Sequence, residues 1–250
     1  PYCGNGSYSE GKPDINAGPV DGMIRTESDM AWVKAMIADG YKFNGVTKVA
    51  KDQLWYGDLI YADANGDGNY GDTNDMNFTG TSTQPRYNFG LNLSVGYKGF
   101  DFYMLWAGSA GFDLYWNHSS YNGTRTENGF GISQRVADNH YFYNPENPSD
   151  SRTNITAKYP RITDQTQRDN GTSSVFWKYK GDYVKLKNIQ IGYTIPVKWT
   201  RKFMVEKLRF YFSGENLLTI TSYPGLDPEM GTSITYPLTR QFAFGAQLSF

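Results

Sequence analysis

The feature that most limits how this chain can fold is a two-residue alternation of bulky apolar and small polar side chains, repeated in separate segments. Tyr87–Tyr97 places Phe89, Leu91, Leu93, Val95 and Tyr97 in one phase and Asn88, Gly90, Asn92, Ser94 and Gly96 in the other. Phe100–Trp106 sets Phe100, Phe102, Met104 and Trp106 opposite Asp101 and Tyr103. Leu208–Ile220 sets Leu208, Phe210 and Phe212 against Arg209, Tyr211, Ser213 and Glu215, and Phe242–Phe250 aligns Phe242, Phe244, Ala246, Leu248 and Phe250. Successive side chains of a strand point to opposite faces, so each segment predicts a strand with one apolar face. Tyr183–Ile195 has Val184 and Leu186 in one phase, then Ile189, Ile191, Tyr193 and Ile195 in the other. The slip near Lys187 and Asn188 predicts a β-bulge.

Alternation alone fits a soluble sandwich or a barrel wall. The polar faces are rich in Gly, Ser and Asn while the apolar faces carry large aromatics, an asymmetry that suits lipid outside and water inside. Composition agrees: 16% of the residues are aromatic, with 20 Tyr, 15 Phe and 27 Gly. No run approaches the eighteen or so consecutive apolar residues of a membrane-spanning helix. The mean hydropathy of -0.60 is compatible with strands whose every second residue is polar. A net charge of -1 without a cationic stripe argues against a nucleic-acid partner. Cys3 is the only cysteine and forms no internal disulfide.

The connections carry direction. Lys98 and Gly99 alone join the first two segments, and Pro196–Lys207, with Lys198, Arg201 and Lys202, joins the third to the fourth. Between the second and third lie roughly seventy residues, far above the usual connection. Thr221–Pro237 separates the fourth from the fifth. Short and long connections therefore alternate, as short periplasmic turns and long extracellular loops do in outer-membrane barrels. With a periplasmic C-terminus, every short turn falls on the periplasmic side. Five strands do not close a barrel, since the smallest single-chain bacterial examples have about eight. Further strands are therefore expected outside this chain, and a start at Pro1 without Met or signal peptide fits processing or fragmentation.

Upstream, Thr26–Asp39 predicts a short helix with Thr26 as N-cap and Asp29 completing a capping box, Met30, Val33 and Ile37 on one stripe and Gly40 as the stop. The expected organisation is a loop region at 17–85, holding that helix and an Asp/Asn/Gly loop at 63–75; a strand pair at 87–110; a large extracellular loop at 111–181; and three strands at 182–250.

The loop at 63–75 holds the best chemical motif. Asp63, Asn65 and Asp67 alternate as hard oxygen donors, Gly68 permits a sharp turn, and Asn69, Asp72 and Asp75 follow. This matches the front half of an EF-hand-type calcium loop, where the ion would fix the loop. The twelfth position is Asn74 where a bidentate Glu is expected, and Asp75 falls one place late. A hydrogen-bonded Asx-rich turn without an ion is the other reading. For a substrate, aromatics outside the strands (Trp55, Tyr56, Tyr115, Trp116, Tyr121, Trp177) are candidates to stack on sugar rings, or else to pack within loops and girdles. Tyr115 and Trp116 are preferred because they follow an emerging strand, and Asp113 joins them as an acceptor for hydroxyl groups. Catalysis has little support: His118 and His140 have no motif around them, and paired acids such as Asp227 and Glu229 are what a glycosidase couple would use.

Three blocks then become family-specific: YVKLKNIQIGYTIP (Tyr183–Pro196), LRFYFSGENLLTITSYPGLDPE (Leu208–Glu229) and YPLTRQFAFGAQLSF (Tyr236–Phe250). With GDLIYADANGDGNYGDTND and PRYNFGLNLSVGYKGFDFYMLW upstream, they resemble, in the same order, the end of SusC/RagA-type TonB-dependent transporters of Bacteroidetes. The resemblance spans most of Gly57–Phe250 apart from the large loop, and the closing Phe250 matches it. It implies an all-β fold, the C-terminal strands of a large antiparallel transmembrane barrel of 22 strands, plugged by an N-terminal domain. It also implies outer-membrane import of a nutrient, a glycan or a peptide, powered through TonB, with a SusD-like surface lipoprotein as lid. Asn92, Asp101, Arg209 and Glu215 would then line the lumen, while Phe102, Phe210 and Phe244 face outer-membrane lipid. A secreted calcium-dependent carbohydrate-binding sandwich and a glycoside hydrolase fragment are the alternatives.

Overall fold

The computed structural model describes residues 17–116, 131–163, 170–171, 173–232, 236 and 238–250; Cys3, His118 and Tyr121 lie outside them. In chain order the strands are β1 (Lys42–Phe43), β2 (Asn69–Tyr70), β3 (Tyr87–Tyr97), β4 (Phe100–Ala110), β5 (Asp113–Tyr115), β6 (Lys178–Lys180), β7 (Tyr183–Thr194), β8 (Lys207–Thr221) and β9 (Gln241–Ser249). The chain divides into two compact units, one of Pro1–Gly80 and Tyr115–Lys178, the other of Thr81–Leu114 and Tyr179–Phe250.

The second unit is an antiparallel sheet in the order β3-β4-β7-β8-β9. Its register explains the alternation. Val95 lies opposite Phe102, Phe102 opposite Ile191, Ile191 opposite Phe212 and Phe212 opposite Phe244, so one apolar row crosses all five strands. Rings on that face touch, with Phe212 and Phe244 centroids 4.9 Å apart. Asn92, Leu105, Asn188 and Glu215 form a matching row on the other face. The predicted partition holds: Phe102, Phe210 and Phe244 share one face, and Asn92, Asp101, Arg209 and Glu215 share the other. Among the described residues no second layer packs over the apolar face; Leu93 is 41% and Phe244 83% exposed, while Phe102, Met104, Ile189 and Phe212 in the middle of the sheet are part-buried.

The predicted bulge is present. Opposite Leu105 and Trp106 the chain of β7 passes from Asn188 to Leu186, leaving Lys187 as the extra residue. Without it, Val184 and Leu186 would turn to the polar face; with it, they join Ile189 and Ile191. β4 runs four residues past Trp106, because Ala107, Gly108, Ser109 and Ala110 pair with Gly90 to Tyr87. These small side chains give no periodic signal, yet Gly108 is required: a Cβ there would sit 2.5 Å from the Phe89 ring.

The connections keep the predicted asymmetry. Lys98 and Gly99, both at positive φ, make the tight β3–β4 turn. The β7–β8 connection holds two short helical turns, Val197–Thr200 and Arg201–Phe203, and ends with Met204 at φ 59. The longer connections leave the sheet at its other edge, beside Tyr87, Ala110, Tyr183 and Thr221.

On the polar face, Arg209 of β8 reaches across β7 to Asp101 of β4, donating from Nε at 2.9 Å and from Nη2 as well. Gly192 of β7, opposite Asp101 in the register, lies beneath this bidentate pair. A Cβ on Gly192 would sit 2.5 Å from Asp101 Oδ1 and 2.6 Å from Arg209 Nη2.

In the first unit, α1 (Glu27–Ala38) begins at Thr26, whose hydroxyl accepts from Asp29 N at 3.1 Å while Asp29 Oδ2 accepts from Thr26 N at 2.8 Å. This is the predicted capping box. Gly40, at φ 97, ends the helix. The buried stripe is wider than expected, with Trp32 and Met36 fully covered beside Met30 and Val33, and Ile37 only partly buried. Trp32 packs edge-on against Phe43 and Tyr70, the residues that the parallel β1–β2 pairing holds side by side. Tyr141 and Ala157 complete the same core. The segments read from sequence as two separate loop regions, 17–85 and 111–181, thus build one core between them.

A Gly192→Val substitution is expected to displace either the backbone of β7 or the Asp101–Arg209 pair. The cost is about 1–3 kcal/mol, as overpacking typically gives. Urea unfolding of the purified protein should show a lower midpoint for Gly192→Val, and much of the same loss for Asp101→Ala.

Candidate functional site

The predicted metal residues form a self-satisfied turn. Asp63 Oδ1 accepts from Gly66 N at 2.6 Å and Asp67 N at 3.2 Å, and its Oδ2 accepts from Gly68 N at 2.8 Å. Asn65 accepts from Asp67 N and donates its amide to Asp67 Oδ2. Asp67 Oδ1 accepts from Asn69 N, and Asn69 donates to Asp72. Asp75 is the hub: Oδ1 accepts from Ala64 N and Asn65 N, and Oδ2 from Gly71 N and Asp72 N. Gly66, Gly68 and Gly71 all take positive φ, which lets these amides turn inward. Asp75, one place past the calcium-loop position, therefore serves four backbone N–H groups. Among the described residues no three His, Cys, Asp or Glu side chains converge on a point that would hold a metal. As arranged, the donor set closes a turn by its own hydrogen bonds, and the carboxylate oxygens that accept these amides are the donors a hard cation would use.

The predicted substrate residues are not presented together. Trp116 is 2% exposed and packs against Tyr159 and Trp177 at 5.8 Å and 6.1 Å. That burial corrects the expectation that its ring is open to a sugar. Asp113 is buried too, with its Oδ1 3.3 Å from Lys180 Nζ and its amide bonded to Ser82 O. Tyr115 is half-buried. The rings around Trp116 make it a packing group of the first unit.

The aromatics that do border open space are elsewhere. A cleft of about 300 Å³ in the first unit is lined by Trp55, Tyr56, Tyr141, Phe142 and Tyr143, with Lys51, His140, Glu146 and Arg161 at its walls. Trp55 and Tyr56 were among the sequence candidates. The run His140–Tyr143 was not, although three consecutive aromatics outside a strand were its visible signal. Tyr56 packs edge-on against Trp55 and Tyr143. Tyr141 donates its hydroxyl to Arg25 O at 2.6 Å, and burial pushes the phenol well above its ordinary range.

Arg161, one of the lining residues, belongs to a buried ion pair. Arg161 donates from Nε to Asp58 Oδ1 at 2.6 Å and from Nη2 to Asp58 Oδ2 at 2.9 Å, and also to Lys51 O. Asn170 Nδ2 and Trp55 N fill the remaining acceptor positions of Asp58. Burial pushes the Asp58 carboxyl upward, and Arg161, Asn170 and the Trp55 amide oppose that shift. A bidentate, fully hydrogen-bonded pair of this kind orders the backbone on both sides of the cleft.

The two acids weighed as a glycosidase couple are engaged differently. In the second unit, Lys185 of β7, 2% exposed, donates to both Asp227 oxygens at 2.6 Å and to Glu229 Oε2 at 2.8 Å. Lys187, the bulge residue, also donates to Glu229. Burial alone would raise the Glu229 carboxyl, but the two lysines hold it below its ordinary value. The acids anchor the 222–231 segment to the polar face of β7.

No protein-family model matches the chain. Among curated proteins, TonB-dependent receptor P3 of Formosa agariphila is 31% identical over 235 residues, covering 84% of this chain and 22% of the relative. TonB-dependent receptor P39 of the same organism is 27% identical over 228 residues, covering 85% and 21%. The chain thus spans about a fifth of the length of these curated relatives. Among solved structures, the RagAB peptide importer in its open-open state aligns with a TM-score of 0.54 and 22% identity, over 78% of this chain and 21% of that one. The closed-closed state gives 0.53 and 23%, with the same coverage.

Two outcomes follow from the site geometry. Asp75→Ala should speed hydrogen exchange at Ala64, Asn65, Gly71 and Asp72 by about tenfold or more, since bonds to a charged acceptor are lost. A chelator should leave those amides unchanged; protection gained on adding calcium would show that an ion binds and tightens the turn. For Glu229, the lowered carboxyl contributes stability above its unfolded value of 4.5, lost as pH falls through the lower folded value. Glu229→Gln should therefore lower Tm at neutral pH, and the difference from wild type should shrink toward zero in strong acid.

Proposed function

Because this chain belongs to the TonB-dependent receptor family, we propose that its sheet is a stretch of barrel wall in an outer-membrane nutrient importer. The observation that carries this reading is the apolar face shared by β3, β4, β7, β8 and β9, over which no element packs among the described residues. A soluble sandwich buries such a face under a second sheet. A wall in lipid leaves it bare and hydrogen-bonds its backbone strand to strand.

In this reading the apolar face meets lipid and the face holding Asn92, Asp101, Arg209 and Glu215 lines the lumen. The long connections and the cleft beside Trp55 and Tyr143 lie on the extracellular side; the short turns and the C-terminus lie in the periplasm. The whole protein would be a 22-stranded barrel with a plug, coupled to TonB and lidded by a SusD-like lipoprotein. Its cargo would be an oligomeric nutrient, a glycan or a peptide. Aromatic walls with Lys51 and Glu146 at the rim of the cleft suit stacking and hydrogen bonding with either. The chain's role is then that of wall and loop, and the ion-paired Asp227 and Glu229 favour this over the glycoside hydrolase reading.

The test compares neighbouring residues of β3. Leu93→Arg should impair insertion into lipid vesicles by about 2–4 kcal/mol, as expected for a cation facing lipid near the bilayer midplane. Asn92→Arg, one residue away on the other face, should insert nearly as well as wild type. Equal effects, or a receptor that stays monodisperse in buffer without detergent, would sink the barrel-wall reading.

A further inference from the structure

The edge of the sheet that carries the short turns gathers cations. Lys98 tips the β3–β4 turn, and Lys198, Arg201 and Lys202 sit in the β7–β8 turn. All four are exposed, and among the described residues none has an acid partner within salt-bridge distance. Glu206 is the single acid in these two turns. On the strands, Lys180, Lys185, Lys187 and Arg209 are each ion-paired.

The same edge exposes large apolar groups. Trp199, Phe203 and Met204 are 59%, 76% and 85% exposed. Trp199 and Phe203 lie within the two short helical turns that also carry the cations, and Met204 closes them. Tyr97 and Phe100, which pair across the tight turn, are 67% and 59% exposed at the same edge of the sheet. Two cations lie over rings, Lys98 Nζ 5.1 Å from Tyr97 and Lys198 Nζ 5.9 Å from Trp199. The turn is held firmly at its ends: Thr194 N donates to Gly99 O, Ile195 N to Leu208 O and Glu206 N to Ser249 O. Exposed aromatic groups and unpaired cations therefore lie together on one edge. That combination suits the boundary of a bilayer, where rings enter the apolar side and cations meet phosphate.

We infer that this edge is a binding surface for anionic phospholipid, with Lys98, Lys198, Arg201 and Lys202 engaging headgroup phosphates and Trp199 and Phe203 seated among the acyl chains. A zwitterionic headgroup offers the phosphate but cancels it with an ammonium, so four cations with one acid select the anionic lipid. The inference rests on the barrel-wall reading above and adds to it a chemical preference for one leaflet.

The test uses the full-length receptor, purified and reconstituted into vesicles of phosphatidylcholine with increasing phosphatidylglycerol, with bound lipid read by native mass spectrometry and by a spin-labelled phosphatidylglycerol. Wild type should retain phosphatidylglycerol over phosphatidylcholine, and raising the salt to about 1 M should erase the preference. The triple variant Lys198→Gln, Arg201→Gln, Lys202→Gln should lose it by about fivefold for each cation removed. Lys34→Gln, an exposed change on α1, should leave it intact. A receptor that enters the vesicles but shows no preference, or a preference the triple variant keeps, overturns the inference while leaving the barrel wall standing. A receptor that does not enter phosphatidylcholine vesicles at all overturns the barrel wall, and the inference falls with it.

Discussion

Everything in the sheet depends on one constraint: its backbone must satisfy itself strand to strand while an entire face stays bare. Where no water reaches, an unpaired N–H or C=O is costly, so continuous ladders are required and register is held strictly. A slip of one residue would exchange the two faces of a strand. The bulge at Lys187 is the place where the sequence absorbs such a slip without losing the ladder, since Asn188 and Leu186 remain paired on both sides of it. The bulge then gives Lys187 a second use, for its ammonium reaches Glu229 in the connection beyond β8.

Charges on the polar face act as fasteners across strands. Asp101 and Arg209 join β4 to β8 over a glycine, and Lys185 gathers Asp227 and Glu229 onto β7. A lone ammonium as buried as that of Lys185 would be strongly unfavourable; two carboxylates at hydrogen-bond distance make the position tenable. The partners come from a connection rich in Pro and Gly, so the cost of ordering that segment is met by a pair whose other half is already rigid in the sheet.

The strands were legible because burial against a face writes a period of two into the chain. Phe89 to Tyr97 and Phe242 to Leu248 show it plainly, and the helix announced itself through Thr26, Asp29 and Gly40. What stayed hidden has physical causes. The end of β4 is made of Ala, Gly and Ser, which have no large side chain to alternate. The shared core of the first unit joins Met23 and Trp32 to Tyr141 and Ala157, contacts more than a hundred residues apart that no local pattern records. Trp116 looked available because sequence position shows where a strand emerges but not what packs on the ring afterwards. The loop at 63–75 reads as a cation motif because turns and calcium loops need the same residues: short carboxylates to accept amides, and glycines to turn them inward.

That overlap explains how the two halves of the chain differ in kind. In the sheet, side chains answer to a repeating environment, so one position constrains the next and the pattern survives in sequence. In the first unit, Asp58, Arg161 and Asn170 converge from three separate segments on one buried point, and each makes sense only once the others are in place. Removing Arg161 would leave the Asp58 carboxylate buried with only the Asn170 and Trp55 amides and no countercharge, a far larger penalty than the loss of one surface contact. The cleft lined by Trp55, Tyr141 and Tyr143 takes Arg161 of this knot into its own wall. Alternation writes the sheet into the sequence, and the cleft is built from what alternation does not encode.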